Sequence, residues 1–226
     1  MPAESSSPAE IARRVVRSRD QAVLATSLRE TGGWPYASLV LTALDHDGTP
    51  LLLISQLADH TRNIAADERV SLLFDGTAGR EDPLTGPRVS VQGRARRSDE
   101  PRHRARFLAR HPAARLYADF GDFGLYAVDV ERAHLVAGFG RITWLERRDM
   151  ILEGDFAALA AAEAGLVAGL SADALARRLG LAGEGWQVTG LDPEGADLRR
   201  GAAVARFDYG AMQVDPAAVE RRLVGQ

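Results

Sequence analysis

The sequence predicts a mainly β protein with an α+β tail: an antiparallel barrel, then a small α+β unit, with residues 1–148 and 149–226 as the two domains. Three observations carry this. Strand-type alternation recurs about seven times between residues 20 and 145 with only two helices among them, which fits an antiparallel barrel better than a βαβ sheet. Turn residues separate the apolar runs: Gly32-Gly33 links one pair, and Asp47-Gly48 is a strong hairpin signal for the next. After Arg148 the composition becomes alanine-rich and helical.

The elements follow in order. Ser7-Pro8-Ala9-Glu10 offers an N-cap serine, a proline at the first helical position and a glutamate that closes a capping box. A helix therefore runs from Pro8 to about Ser18, with Ile11, Val15 and Val16 as its apolar stripe and Arg13, Arg14 and Arg17 facing water or a partner. Residues 22–28, 37–44, 51–55 and 70–74 read as strands, interrupted by one short helix over about 59–66. Residues 76–87 form an exposed loop, and 88–96 alternate again, Val89, Val91 and Gly93 against Ser90, Gln92 and Arg94. Residues 99–110 form a helix that buries Phe107 and Leu108 and ends before Pro112. Two further strands, 123–130 and 133–139, are joined near Glu131-Arg132. In the second unit, helices over 155–168 and from Ser171 to Gly180 precede strands at 186–191 and 203–208, which flank the turn Asp192-Pro193-Glu194-Gly195. Asp215-Pro216 starts a last helix that reaches Leu223.

Composition removes several chemistries. The 28 basic residues are all arginine, and there is neither lysine nor cysteine. Internal Schiff bases, a Walker-type P-loop, disulfides, thiolate nucleophiles and Cys-ligated clusters are excluded, so any anion site must use arginine, hydroxyls or backbone N–H groups. A net charge of −3 gives no nucleic-acid footprint. The longest apolar runs, such as 51–54 and 156–162, fall far short of the ~18 residues needed to cross a bilayer. The opening residues Met1 to Ser7 are polar and small, without a charged-then-apolar leader, so the expectation is a cytoplasmic protein without a membrane partner.

No G-x-S-x-G, H-E-x-x-H or strand-linked G-x-G-x-x-G occurs, and the five histidines, His46, His60, His103, His111 and His134, show no i, i+4 pair. The informative stretch is Ser55-Gln56-Leu57-Ala58-Asp59-His60-Thr61-Arg62. A buried strand ends in Ser55, and a helix begins with Thr61 and Arg62 near its first turn. Free N–H groups, the positive end of the helix dipole, two hydroxyls and a guanidinium suit an anion. The ordinary alternative is that Asp59 caps the helix and Arg62 pairs with a neighbouring carboxylate.

The order of these parts carries a resemblance. Trp34-Pro35-Tyr36-Ala37-Ser38-Leu39-Val40, the Asp-Gly hairpin, the His60-Thr61-Arg62-Asn63 helix, Arg69-Val70-Ser71-Leu72-Leu73 and Val89-Ser90-Val91-Gln92-Gly93-Arg94-Ala95 resemble the FMN-binding split-barrel superfamily of pyridoxamine 5′-phosphate oxidase. Within it the chain looks closest to the haem-utilisation (HugZ-type) branch, which adds a small C-terminal domain. His134-Leu135-Val136-Ala137-Gly138-Phe139-Gly140-Arg141-Ile142-Thr143-Trp144 is similar to the segment closing that barrel, and 189–195 to the turn of the appended domain. The resemblance implies a homodimer with FMN in an interface cleft: phosphate on Ser55, Thr61 and Arg62 with Gln56 and His60 near by, the ring along Ser38, Leu39 and Val40, Gln92 reaching from a later strand and Trp144 as a wall.

Two departures stand out. Pyridoxamine phosphate oxidases usually place lysine near the phosphate, and this chain has none. The branch's His-Met-Asn-x-Asp-His motif is replaced by Gly169-Leu170-Ser171-Ala172-Asp173-Ala174, which cannot ligate iron in the same way. His134 is then the candidate haem-iron ligand, no other metal site is expected, and the Arg-rich run from Arg94 to Arg110 reads mostly as a solvated face. The leading expectation is a flavin-dependent oxidoreductase-like protein acting on a small molecule. The alternatives are a haem-binding or haem-degrading protein that uses the cleft without flavin, and a non-catalytic binding module.

Overall fold

The computed structural model describes residues 6–138 and 140–225. Helix α1 (Pro8–Ser18) starts as its sequence dictates: Glu10 N donates to Ser7 Oγ at 3.2 Å and Ser7 N to Glu10 Oε2 at 2.7 Å. There follow β1 (Gln21–Leu28), β2 (Trp34–Leu41), β3 (Ala43–Leu44), β4 (Pro50–Ser55), α2 (Asp59–Ala66), β5 (Arg69–Asp75), β6 (Arg88–Arg97), α3 (Pro101–Arg110), β7 (Phe123–Val136) and β8 (Ile142–Glu146). Their sheet has the order β2-β1-β5-β6-β7-β4-β3, with β8 added beside β7, and every pair is antiparallel. The sheet curls so that β2 approaches β4, and alternate residues such as Leu24, Leu72, Phe74, Val89 and Leu135 fill the interior. Ala12, Val15 and Val16 of α1, with Met150 and Ile151, pack onto the same core. The expected split barrel is present.

Several boundaries differ from the expectation: β2 begins at Trp34 instead of residue 37, and β8 was not expected. The run 37–44 is broken at Thr42, whose N–H donates to Asp20 O and whose carbonyl accepts from His111, so it leaves the ladder. The two strands expected at 123–130 and 133–139 are one strand, β7, ending at Val136; Phe139 lies outside the described residues. A bulge at Glu131 replaces the turn: Gln92 faces Arg132 while Gly93 faces Val130. Gly93 is needed there, because a Cβ would meet Asp129 O at 2.2 Å.

After α4 (Arg147–Met150), helices α5 (Ala157–Gly169), α6 (Ala172–Arg178) and α7 (Pro216–Val224) pack on a second sheet of order β11-β10-β9. Its strands are β9 (Gln187–Asp192), β10 (Gly195–Arg200) and β11 (Ala203–Asp208). Strand β10 was not expected, since Ala-Asp-Leu-Arg-Arg is short and charged, yet Ala196 and Leu198 are fully buried. At the segment that replaces the family's histidine motif, Ser171 caps α6 and Asp173 accepts from Gly185 N and Trp186 N, which is a structural role. No single helix among the described residues is long and apolar enough to cross a membrane.

The barrel meets this second sheet through ion pairs. Arg17 is 2% exposed and lies 3.1 Å from Asp192 and 2.7 Å from Glu194, Arg110 approaches Asp197 at 3.1 Å and Arg106 approaches Glu163 at 2.6 Å, while within the second sheet Arg206 approaches the same Asp192 at 2.8 Å. Arg106 and Arg110 are therefore not solvated, as their helix face had suggested, and Arg17, expected to face water or a partner, is covered like them by carboxylates from a distant part of the chain. Burial disfavours the Asp192 carboxylate, but Arg17 and Arg206 more than offset this and hold its pKa well below the usual range.

Candidate functional site

The first cluster forms where β4 ends against α2. Ser55 Oγ donates to Asp122 Oδ2 at 2.5 Å and accepts from Leu57 N at 3.1 Å, and Gln56 N donates to Asp122 O at 2.7 Å. The N-cap of α2 is Ala58, not Asp59, and no side chain caps it. Asp59 instead sits inside the helix and pairs loosely with Arg62 at 3.4 Å, both well exposed. Thr61 is 4% exposed, and its hydroxyl has no partner among the described residues. His60 Nδ1 lies 3.2 Å from Ser38 Oγ. Burial pushes the His60 pKa below its ordinary value, the Asp59 charge opposing in part, so the ring is neutral at pH 7.

These residues half-fit a phosphate. An uncapped helix start, the unpaired Thr61 hydroxyl and a loosely held Arg62 favour an anion. Against it, the one proton of Ser55 Oγ is committed to a carboxylate, and His60 adds no charge. Ser38 and Val40 point toward α2 and the interior, whereas Leu39 is 68% exposed on the outer face. Strand β2 ends the sheet path, so one edge of its backbone is open to a ligand.

The second cluster lies on the outer face of the sheet. Register aligns Leu39, Val23, Leu73, Ser90, His134 and Trp144 across β2, β1, β5, β6, β7 and β8. The His134 and Trp144 rings pack at 4.6 Å, Arg132 stacks over Trp144 at 4.7 Å, and Arg132 Nε donates to Gln92 Oε1 at 2.8 Å. Neither ring nitrogen of His134 has a hydrogen-bond partner among the described residues. Trp144 is 53% exposed and Ile142 59%. At about 4.8 Å per strand, His134 lies roughly 19 Å from Leu39 along the sheet. One chain therefore gathers Ser38, Ser55, Gln56, His60, Thr61 and Arg62 near the start of α2 and Gln92, His134 and Trp144 elsewhere on the outer face, while Leu39 points outward and Val40 into the core.

A third cluster, buried, escaped sequence reasoning. His46, 2% exposed, lies 3.2 Å from Asp45 and 3.0 Å from Glu163, while Arg102 and His103 also reach Asp45. Burial pushes the His46 pKa down, but hydrogen bonds to Asp45 and Glu163 outweigh it and the net shift is upward. His111 is pushed down to about 4 by burial. No three His, Asp or Glu side chains among the described residues are placed to hold a metal ion. Asp122 and Arg132 were also missed; neither belongs to a pattern that local sequence can flag.

The chain is similar to several known proteins. The model of the CREG β-barrel family matches residues 3–150. The non-canonical haem oxygenase HOZ of Arabidopsis thaliana, a chloroplastic protein, is 34% identical over 135 residues, 58% of this chain and 41% of that protein. The chain thus spans about two-fifths of the curated relative it matches. The structure of a haem-binding protein from Mycobacterium smegmatis aligns with 99% of this chain and 98% of its own, with a TM-score of 0.62 and 32% identity. The protein Atu2129 of Agrobacterium tumefaciens, of unknown function, aligns over the whole of both chains with a TM-score of 0.83 and 27% identity.

Proposed function

Because the chain belongs to the CREG β-barrel family, its model matching residues 3–150, we propose that it is a haem-binding split-barrel protein. The ligand is held on the outer face of the barrel, with residues 1–148 carrying the site and 149–226 bracing it. The observation that carries this is His134: an imidazole without a hydrogen-bond partner among the described residues, packed on Trp144 beside Arg132. A neutral imidazole ligates iron, apolar Leu73, Ile142 and Trp144 suit a porphyrin face, and Arg132 suits a propionate. The relatives whose names state haem chemistry support the reading, one of them over 99% of this chain. When bound, haem would supply iron-centred redox chemistry, with His134 as the residue that would hold the iron and Arg132 and Trp144 setting the polarity around it.

Homodimerisation belongs to the same proposal. Leu39, Trp144 and Ile142 leave an apolar outer face larger than scattered surface residues need. Gln92 and Trp144 belong to the outer-face cluster, and in such a dimer they would meet the partner's α2 ligand across a two-fold axis.

Thr61 favours a second reading, an FMN-dependent oxidoreductase. Its buried unpaired hydroxyl beside an uncapped helix start is what a flavin phosphate needs, with Arg62 as the cation, Ser55, Gln56 and His60 around it, and Ser38, Leu39 and Val40 along the ring. A visible spectrum of the purified protein, repeated after hemin addition with mass spectrometry of the released pigment, separates the two. A Soret band at one hemin per chain is expected. Flavin bands that hemin does not displace would favour the second reading, and a protein that takes up neither would overturn both in favour of a non-catalytic module.

A further inference from the structure

We propose that Asp122 sets the ligand selectivity of the α2 cradle, acting as a built-in competitor for phosphate. The inference rests on the second reading above, that the start of α2 is an anion site, and it names the residue that weakens that site. Ser55 Oγ donates to Asp122 Oδ2 at 2.5 Å, a short charge-assisted bond, and its lone pairs face Leu57 N at 3.1 Å. A hydroxyl carries one proton, so Ser55 has no donor left for a second anion.

The Asp122 backbone is fixed in place. Its carbonyl accepts from Gln56 N at 2.7 Å, and the next residue, Phe123, pairs directly with Ser55 in the sheet. No arginine or histidine pairs with the Asp122 carboxylate among the described residues. Around the α2 start the formal charges are those of Asp59 and Asp122 against Arg62, with His60 neutral, a balance of 1 − 2 = −1. A phosphate monoester entering near Ser55 would replace one acceptor by another and bring like charges within a few ångströms. The cradle therefore keeps the shape of an anion site while its charge turns away a phosphate dianion. A neutral ligand meets no such penalty.

The test compares FMN with riboflavin, the same ring without the phosphate, in titrations followed by flavin fluorescence at low ionic strength. The proteins are the full chain, Asp122→Asn, and Asp122→Asn combined with Arg62→Ala. Asparagine keeps an acceptor for Ser55 Oγ, and an unchanged hemin titration with an unchanged circular dichroism spectrum confirms that the variants are folded. The expected result is that Asp122→Asn binds FMN at least about tenfold more tightly than the parent, riboflavin changes by less than about twofold, and the double variant loses the gain. Equal FMN affinity in parent and Asp122→Asn would overturn the role of Asp122 and leave the cradle standing. A gain that survives Arg62→Ala would place the phosphate elsewhere and overturn it too. No FMN binding by any variant would overturn both the inference and the anion-site reading, while the haem reading is judged separately by hemin.

Discussion

The barrel surface that meets the three-stranded sheet is lined by arginines and carboxylates in contact, whereas its outer face turns Leu39, Ile142 and Trp144 to solvent and leaves His134 without a hydrogen bond among the described residues. The first surface satisfies its groups internally. Removing one partner there strands a buried charge, so its residues matter for stability and do not await a ligand. The second surface differs in the opposite sense: its apolar area gains by being covered, and its imidazole is free to take a ligand. Ligand binding is therefore to be sought on the face that the fold leaves unfinished.

This contrast is broken most severely at Asp192. Asp192→Ala leaves Arg17 and Arg206 buried without their shared carboxylate and is expected to cost about 3–5 kcal/mol in urea unfolding. Hemin affinity of the folded fraction should not change. A loss under 1 kcal/mol would mean that the ionic surface is solvated and the contrast false.

A smaller effect sharpens the same surface through pH. The raised pKa of His46, with Asp45, Glu163, Arg106 and Arg102 about it, means the folded state holds this proton more tightly than the unfolded chain. That contribution is complete below the ordinary histidine value and is lost as pH rises through the folded one. The stability difference between the parent and His46→Gln should therefore shrink from pH 6 to pH 9. A difference that grew with pH would show that the ring is held neutral.

The smallest stability change is expected on the outer face. Leu39→Arg alters a residue 68% exposed and should move unfolding by no more than about 0.5 kcal/mol. Sedimentation should nevertheless shift from dimer to monomer. A monomeric parent would remove the dimer from the proposal.

What could be read from the sequence follows from what is local. The Ser7 capping box, the apolar run of β4, the alternation of β5 and β6 and the α2 start are short-range patterns, and they appear where expected. Arg106 was read as solvated, and Arg17 as facing water or a partner, because an arginine on a helix face looks the same whether water or Glu194 and Glu163 lies beyond it. The bulge in β7 was taken for a turn, since Glu131-Arg132 is polar on both sides and only the register with Gly93 distinguishes the two. For the candidate site, the sequence order alone brings Ser55 next to His60, Thr61 and Arg62, and the contact of Ser38 with His60 adds β2 to that group. Asp122 was not expected there, because 67 residues separate it from the Ser55 hydroxyl it accepts.

The most direct measurement is a hemin titration followed at the Soret band for the parent and for His134→Ala, with Arg62→Ala as a control at the other cluster. The account expects the parent to saturate at one hemin per chain, Arg62→Ala to match it, and His134→Ala to lose about tenfold or more in affinity with a shifted Soret maximum. Equal binding and identical spectra for the parent and His134→Ala would contradict it.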